Sequence, residues 1–276
     1  MARLSEFANN TTSQNGEDGM VAKLAKDLEL ETGWCVEFGA WDGKHLSNTW
    51  DLWANQGWRA FLLEALPSRF ADLEHQTKNP SVVAMCARVG WDGDNRLDHL
   101  LAVAEVPADF ELLSIDIDGD DYWVWEATAS RPKIVIVEYN SSFAPEVEFV
   151  QEKEGYTGSS AASFVRLADD KGYTLVDLTI TNLIFVRSDL IPTLSVDTLP
   201  LDELFDRSWL PIIYSDYAGV HHLIKSGPWP FSDIRIDLGQ KRFVGPLRRF
   251  VAKGPARSVV TLLRKWSNEV GSKASA

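Results

Sequence analysis

The 276-residue sequence is poor in cysteine and has no long apolar run. Its two cysteines, Cys35 and Cys86, both lie in apolar strand-like segments, which excludes a disulfide framework. No stretch approaches the roughly 20 apolar residues of a membrane span, and the polar N-terminus has no apolar signal region. These absences predict a globular protein that stays in the cytoplasm.

Two phosphate-binding signatures are also missing. The chain contains neither the G-x-G-x-x-G turn of dinucleotide sites nor the G-x-x-x-x-G-K-[ST] loop of nucleotide triphosphate sites. Its net charge of −13 argues against nonspecific nucleic-acid binding, which requires clustered Lys and Arg. We therefore expect a small-molecule ligand rather than a nucleic acid.

The basic residues are concentrated at the C-terminal end. Residues 241–276 hold nine Lys or Arg against Glu269 alone, a charge of +8 that leaves −21 on the remainder. Within this tail, residues 252–270 have the pattern of an amphipathic helix. Two interpretations stay open, namely peripheral contact with an anionic membrane and a solvated helix docked on the acidic body.

The order of apolar segments predicts an α/β fold. Strands alternating with helical segments are predicted at 35–38, 59–63, 82–86, 111–117 and 134–138. Such alternation predicts a parallel sheet. After a predicted helix over 159–171, strands at 173–178 and 183–186 are separated by a turn too short for a crossover, so they must pair antiparallel.

The segment 36–43 reads as a buried strand that ends in a tight turn carrying two carboxylates. Gly39 and Gly43 frame this turn, as expected where the backbone takes positive φ or passes close to a ligand. Its acidic groups, which include Asp42, would repel a phosphate and suit a ligand with an amine and a ribose. Glu64 follows about 20 residues later, where an acidic side chain accepts hydrogen bonds from ribose hydroxyls.

Other acidic groups follow the later strands. Since the carboxyl ends of parallel strands share one edge, residues 37–43, Glu64, 116–121 and 138–140 should converge. An acidic pocket with aromatic rings suits S-adenosylmethionine, which carries a sulfonium and an ammonium group. The candidate rings are Trp41, Tyr122 and Trp123.

Methyl transfer is an in-line displacement and needs a base only when the acceptor is a hydroxyl or a protonated amine. The candidate bases by position are Asp116, Asp118, Glu138 and His45. The acidic segment 116–121 is also compatible with a Mg²⁺ site, because clustered carboxylates bind hard cations. It does not fit an EF-hand loop, and we favour an enzyme without dedicated metal ligands over the Mg²⁺-dependent alternative.

Five segments of the sequence match a known pattern, namely 13–19, 36–49, 62–64, 115–119 and 132–138. Together they resemble the FkbM-type S-adenosylmethionine-dependent methyltransferases over about residues 10–190. The resemblance implies that the glycine turn and the acid after the second strand hold the cofactor. The predicted cofactor-binding residues are Glu37, Gly39, Ala40, Trp41, Asp42, Gly43, Glu64 and Asp116. Trp41 departs from the usual D-V-G-A-N-x-G turn, which implies a differently shaped pocket.

The resemblance also implies a fold and a reaction. We predict the Rossmann-like sheet of class I methyltransferases, mostly parallel with an antiparallel hairpin edge, in residues 1–190, and an irregular extension over 191–276. The implied reaction is O-methylation of a sugar, glycolipid or related small hydroxyl acceptor. The segment 13–19 would either fold over the cofactor or cap the first helix. A catalytically silent, methyltransferase-like binding module is the alternative from another functional class.

Overall fold

The computed structural model describes residues 2–225 and divides the chain into two compact units, with the division between Trp209 and Leu210. The first unit is built on a seven-stranded sheet. Its strands are β1 Trp34–Phe38, β2 Arg59–Glu64, β3 Val82–Cys86, β4 Leu112–Ile115, β5 Ile134–Glu138, β6 Tyr173–Leu178 and β7 Asn182–Arg187. Its helices are α1 Glu17–Asp27, α2 Trp50–Asn55, α3 Pro67–Gln76, α4 Leu97–Val103, α5 Asp121–Ala127, α6 Ala161–Lys171 and α7 Leu201–Leu204.

The strand order is β3-β2-β1-β4-β5-β7-β6. Strands β1 to β5 pair in parallel, whereas β7 runs antiparallel to both β5 and β6. This arrangement confirms the predicted Rossmann-like class I methyltransferase sheet with its antiparallel hairpin edge. The order reverses between β1 and β4, and ligands of open α/β sheets bind in the crevice at such a switch point.

Burial explains the composition of the strands. Every residue of β1 and β4 is buried, as expected for central parallel strands that are covered on both faces. On one face, Met20 and Leu24 of α1, Leu52 of α2 and Leu73 of α3 join the same apolar cluster. The helices therefore fix the position of the loops that leave the carboxyl edge of the sheet.

The predicted end of the fourth strand was wrong. The strand predicted over 111–117 ends at Ile115, because the Asp121 carboxylate accepts hydrogen bonds from the backbone N–H groups of Ile117 and Gly119 and turns the chain.

The first compact unit reaches to Trp209, whereas the sequence placed the domain boundary at 190. In the second unit, β8 Ile212–Ser215 and β9 His221–Lys225 form an antiparallel hairpin. The division into a domain over 1–190 and an extension over 191–276 therefore stays a prediction. The basic tail 241–276, with its predicted helix, lies outside the described residues. No helix within residues 2–225 is long and apolar enough to cross a membrane.

Candidate functional site

The glycine turn and the turn after β4 touch through their backbones. Gly39 has φ +77°, and a Cβ atom there would lie 1.8 Å from the backbone oxygen of Asp116. Only glycine fits such a contact without moving one of the two turns. Gly43, with φ +79°, closes the same turn against Leu73 of α3. Two predicted site segments are thus adjacent at the switch point.

Glu37 is a buried anchor for the loop that leads into α2. Its carboxylate accepts hydrogen bonds from Ser47 Oγ at 2.6 Å, Thr49 Oγ1 at 2.6 Å and the Asn48 N–H at 3.0 Å. Burial raises the pKa of Glu37, and these hydrogen bonds oppose that rise. The sequence analysis missed the Ser-Asn-Thr partners. A run of short polar residues ten positions after a buried Glu was the available signal.

Glu64 connects the end of β2 to the glycine turn. Its side chain is buried, and its two oxygens accept backbone hydrogen bonds from Trp41 at 3.0 Å and Leu66 at 2.8 Å. A carboxylate has about four acceptor positions, so each oxygen keeps one for another donor. Glu64 can therefore accept hydroxyl groups while it holds the turn in place.

Asp42 and Trp41 have different roles in the turn. Asp42 Oδ1 accepts hydrogen bonds from the N–H groups of Lys44 at 2.9 Å and His45 at 2.7 Å, so this carboxylate shapes its own loop. The Trp41 ring packs edge-to-face on His45, with ring centroids 5.0 Å apart, and beneath the guanidinium of Arg69 at 4.6 Å. These contacts place Trp41 and His45 toward α3.

Three of the four predicted bases converge. Carboxylate oxygens of Asp116, Asp118 and Glu138 all lie within 4.8 Å of one another, and His45 is not part of this group. The side chains of Asp116 and Glu138 also interact directly, and a hydrogen bond between two carboxyl groups forms only when one of them is protonated. The spacing would also admit a hard cation, and the acidic oxygens are of the type that Mg²⁺ binds.

The electrostatics of this acidic cluster favour proton retention. Burial raises the pKa of Asp116 to about 7, and the charges of Asp121 and Asp118 add to the rise. Burial and the Asp116 charge raise the pKa of Glu138 well above its usual range. Asp116 keeps solvent access although protein atoms surround its carboxyl group densely, as inside an open cleft. Near neutral pH the pair therefore holds a proton and stays reachable.

The loop after β5 closes one side of this cluster. Asp120 accepts hydrogen bonds from the Glu154 N–H at 2.8 Å and from Gln151 Nε2 at 3.3 Å. Trp123 Nε1 donates to the Gln151 backbone oxygen at 2.9 Å, and its ring lies 4.8 Å from Lys153 Nζ. The indole of Trp123 therefore fixes the loop, a role that sequence reasoning did not assign.

The N-terminal segment 13–19 packs at the same edge. Glu17 accepts hydrogen bonds from Thr179 Oγ1 at 2.7 Å and from Asn182 Nδ2 at 2.9 Å. Asn182 starts β7 and pairs with Glu138. Gly16, the residue before α1, makes no side-chain cap. The segment thus borders the acidic cluster, and its contact with a cofactor stays a prediction.

The acidic cluster should make stability depend on pH. A carboxyl whose pKa is higher in the folded state stabilises the fold at low pH, and this contribution is lost as pH rises through the folded value. We expect the melting temperature of the wild type to fall between about pH 5 and about pH 8 more steeply than that of Asp116→Asn. Thermal melts across this range test the expectation, with Asp169→Asn, an exposed change on α6, as the control. Parallel curves for all three proteins would contradict it.

Comparisons with known proteins return structures only. No protein-family model matches the chain, and no curated protein sequence is similar to it. The N-terminal domain of EvdMO1, solved in the presence of SAH and D-fucose, is 10% identical over 62% of this chain and 82% of its own, with a TM-score of 0.41. An S-adenosylmethionine-dependent methyltransferase from Clostridium acetobutylicum is 9% identical over 62% and 89%, with a TM-score of 0.41.

A third solved structure is SAM-bound CalS10, an amino pentose methyltransferase from Micromonospora echinaspora. It is 13% identical over 64% of this chain and 92% of its own, with a TM-score of 0.40. At these identities, an activity for this chain has to be argued from its own site. Two of these three structures are methyltransferases by description, and the third is a domain solved with SAH.

Proposed function

We propose that this protein is an S-adenosylmethionine-dependent methyltransferase of the FkbM type that methylates a hydroxyl of a sugar, glycolipid or related small acceptor. The observation that carries the proposal is the meeting of the glycine turn with the acidic cluster at the switch point, through Gly39 and Asp116. A nucleoside-binding edge and a proton-holding pair then border one crevice.

The residues of this edge fit the cofactor chemically. The two free acceptor positions of Glu64 suit ribose hydroxyls. The missing side chain at Gly39 lets the glycine turn pack against the backbone of Asp116, which brings the two halves of the site together. Asp116 and its acidic neighbours complement the positive charge of S-adenosylmethionine. When bound, the cofactor supplies an electrophilic methyl group.

The acidic cluster would handle the proton of the acceptor. With one proton shared between Asp116 and Glu138, the pair retains one carboxylate that can accept a proton from a hydroxyl. Asp121 holds the turn after β4 through the N–H groups of Ile117 and Gly119, and so fixes the position of Asp116. A base held in one position would favour in-line transfer, in which alignment supplies a large share of the rate enhancement.

Cofactor binding provides the direct test. We expect calorimetry to detect S-adenosylhomocysteine binding to the wild type, and Glu64→Gln to weaken it by about 10- to 100-fold, because a hydrogen bond to a charged group is lost. Glu74→Gln, an exposed change on α3, is the matched control. Equal melting temperatures would show that the turn survives the change at 64.

A wild type that does not bind S-adenosylhomocysteine would overturn the proposal and favour the catalytically silent binding module. A cytoplasmic location and membrane contact through residues 241–276 remain proposals as well. Vesicle sedimentation of the full chain and of a chain lacking 241–276 tests the second, since a basic segment should bind anionic vesicles in a salt-dependent way.

A further inference from the structure

A second polar cavity lies between the glycine turn and α3. It is open to solvent, has a volume of about 280 Å³ and is lined by Trp41, Asp42, His45, Asp72, His75 and Gln76, all exposed except the half-buried Asp42. Neither Asp116 nor Glu138 lines it. Its volume is just below the roughly 300 Å³ at which ligand pockets begin, so it suits one ring rather than a nucleotide.

Three polar side chains of this cavity have no polar partner within the described residues. The side chains of His45, Asp72 and His75 make no hydrogen bond or ion pair with any residue in 2–225. Asp42 differs, because it accepts hydrogen bonds from the N–H groups of Lys44 and His45 and, at 3.5 Å, from Gln76 Nε2. Donors and acceptors that stay available in a cavity are what orients a ligand.

Trp41 is an unfavourable residue for its backbone position. Its φ of +47° lies in the left-handed region, where a bulky residue costs roughly 1–2 kcal/mol and glycine costs little. The side chain nevertheless remains 40% exposed. The Arg69 guanidinium and the His45 ring both contact the indole, and the rest of its surface is open to solvent. Trp41 thus occupies a backbone position that favours glycine, and its ring is exposed to solvent at the wall of the cavity.

We propose that this cavity binds a single neutral sugar ring. The exposed part of the Trp41 indole suits the apolar face of a pyranose, while the Asp72 carboxylate and the remaining acceptor positions of Asp42 suit its hydroxyl donors. Gln76 and the two imidazoles supply donors as well as acceptors. Two carboxylates in one small cavity disfavour a phosphate or carboxylate ligand. Binding here goes beyond the proposed methyl transfer and does not depend on it.

Ligand-observed saturation-transfer NMR on the full chain tests the site. The probes are methyl β-D-glucopyranoside, methyl β-D-galactopyranoside and methyl α-D-mannopyranoside. We expect transfer to the ring protons of at least one probe, and its loss in Trp41→Leu. Asp72→Ala should weaken binding by about tenfold because a charged hydrogen-bond acceptor is removed. Glu74→Ala, which removes an exposed carboxylate from the same helix outside the cavity, should leave binding unchanged.

Three results would overturn the proposal. The first is no transfer to any probe in the wild type, and the second is equal affinity in wild type and Asp72→Ala. The third is binding of zinc chloride that depends on His45 and His75, without any sugar binding, which would identify a metal site instead. Calorimetry with S-adenosylhomocysteine on the same samples separates a failure of this site from a failure of the proposed function.

Discussion

Replacing Glu138 by glutamine is expected to lower the rate of methyl transfer by about 10²- to 10⁴-fold, the usual contribution of a positioned acid or base. Glutamine keeps the size and hydrogen-bonding capacity of the side chain but cannot take up a proton. Because Glu138 shares its proton with Asp116, the variant removes half of the pair. Affinity for S-adenosylhomocysteine should stay within about threefold, since the loss falls on the chemical step.

The dependence of the methyl-transfer rate on pH distinguishes the role of the Asp116–Glu138 pair from that of Asp118. In the wild type the rate of methyl transfer should rise with pH through about 7, as the coupled Asp116–Glu138 pair gives up the first of its protons. Asp118→Asn removes a charge that raises the pKa of Asp116, so its profile should rise at lower pH with less than about tenfold loss of rate. A loss in Asp118→Asn as large as that in Glu138→Gln would contradict the assignment.

A chelator distinguishes the metal alternative. We expect turnover of the wild type to be unchanged by EDTA, because the proposed base needs no cation. If EDTA abolished turnover and Mg²⁺ restored it, the metal alternative would hold. Asp116, Asp118 and Glu138 would then be the Mg²⁺ ligands, since their carboxylate oxygens lie close enough together to bind one ion.

Gly39→Ala is expected to lower the free energy of unfolding by roughly 3 kcal/mol or more. The left-handed backbone alone costs an alanine about 1 kcal/mol, and a Cβ 1.8 Å from a backbone oxygen forces one of the two turns to move. Gly57→Ala is the matched control, since Gly57 has φ +76° and no atom within 4 Å of an added Cβ. Denaturant unfolding of both variants isolates the contact, and equal losses would contradict it.

Much of the fold could be predicted from the sequence because its signals are local. The strand of β-branched residues at 134–138 and the helix that ends at Gly172 follow from composition and a glycine with φ +77°. The edge on which Glu64 and Asp116 lie follows from the rule for parallel strands. These inferences require no knowledge of side-chain contacts.

The roles of individual carboxylates could not be predicted, because they depend on contacts between distant segments. Glu37 and Glu64 are both strand-end acids in the sequence, yet three donors of the next loop hold Glu37, while Glu64 keeps two free positions. His45 was a candidate base by its position after the glycine turn, yet its ring packs on Trp41 and lies outside the acidic cluster. The interaction of Asp116 with Glu138 joins the turn after β4 to the end of β5.

The bond from Asn182 to Glu17 spans 165 residues of chain. During synthesis, the segment 13–19 leaves the ribosome long before its partner on β7 exists. Contacts between such distant segments form late in folding, because the conformational entropy of the intervening chain must be lost before the contact stabilises the fold. The segment 13–19 can therefore take its place beside the acidic cluster only after β6 and β7 have been synthesised. A nascent chain that stops before residue 182 would carry the glycine turn and the acidic cluster without the segment that borders them.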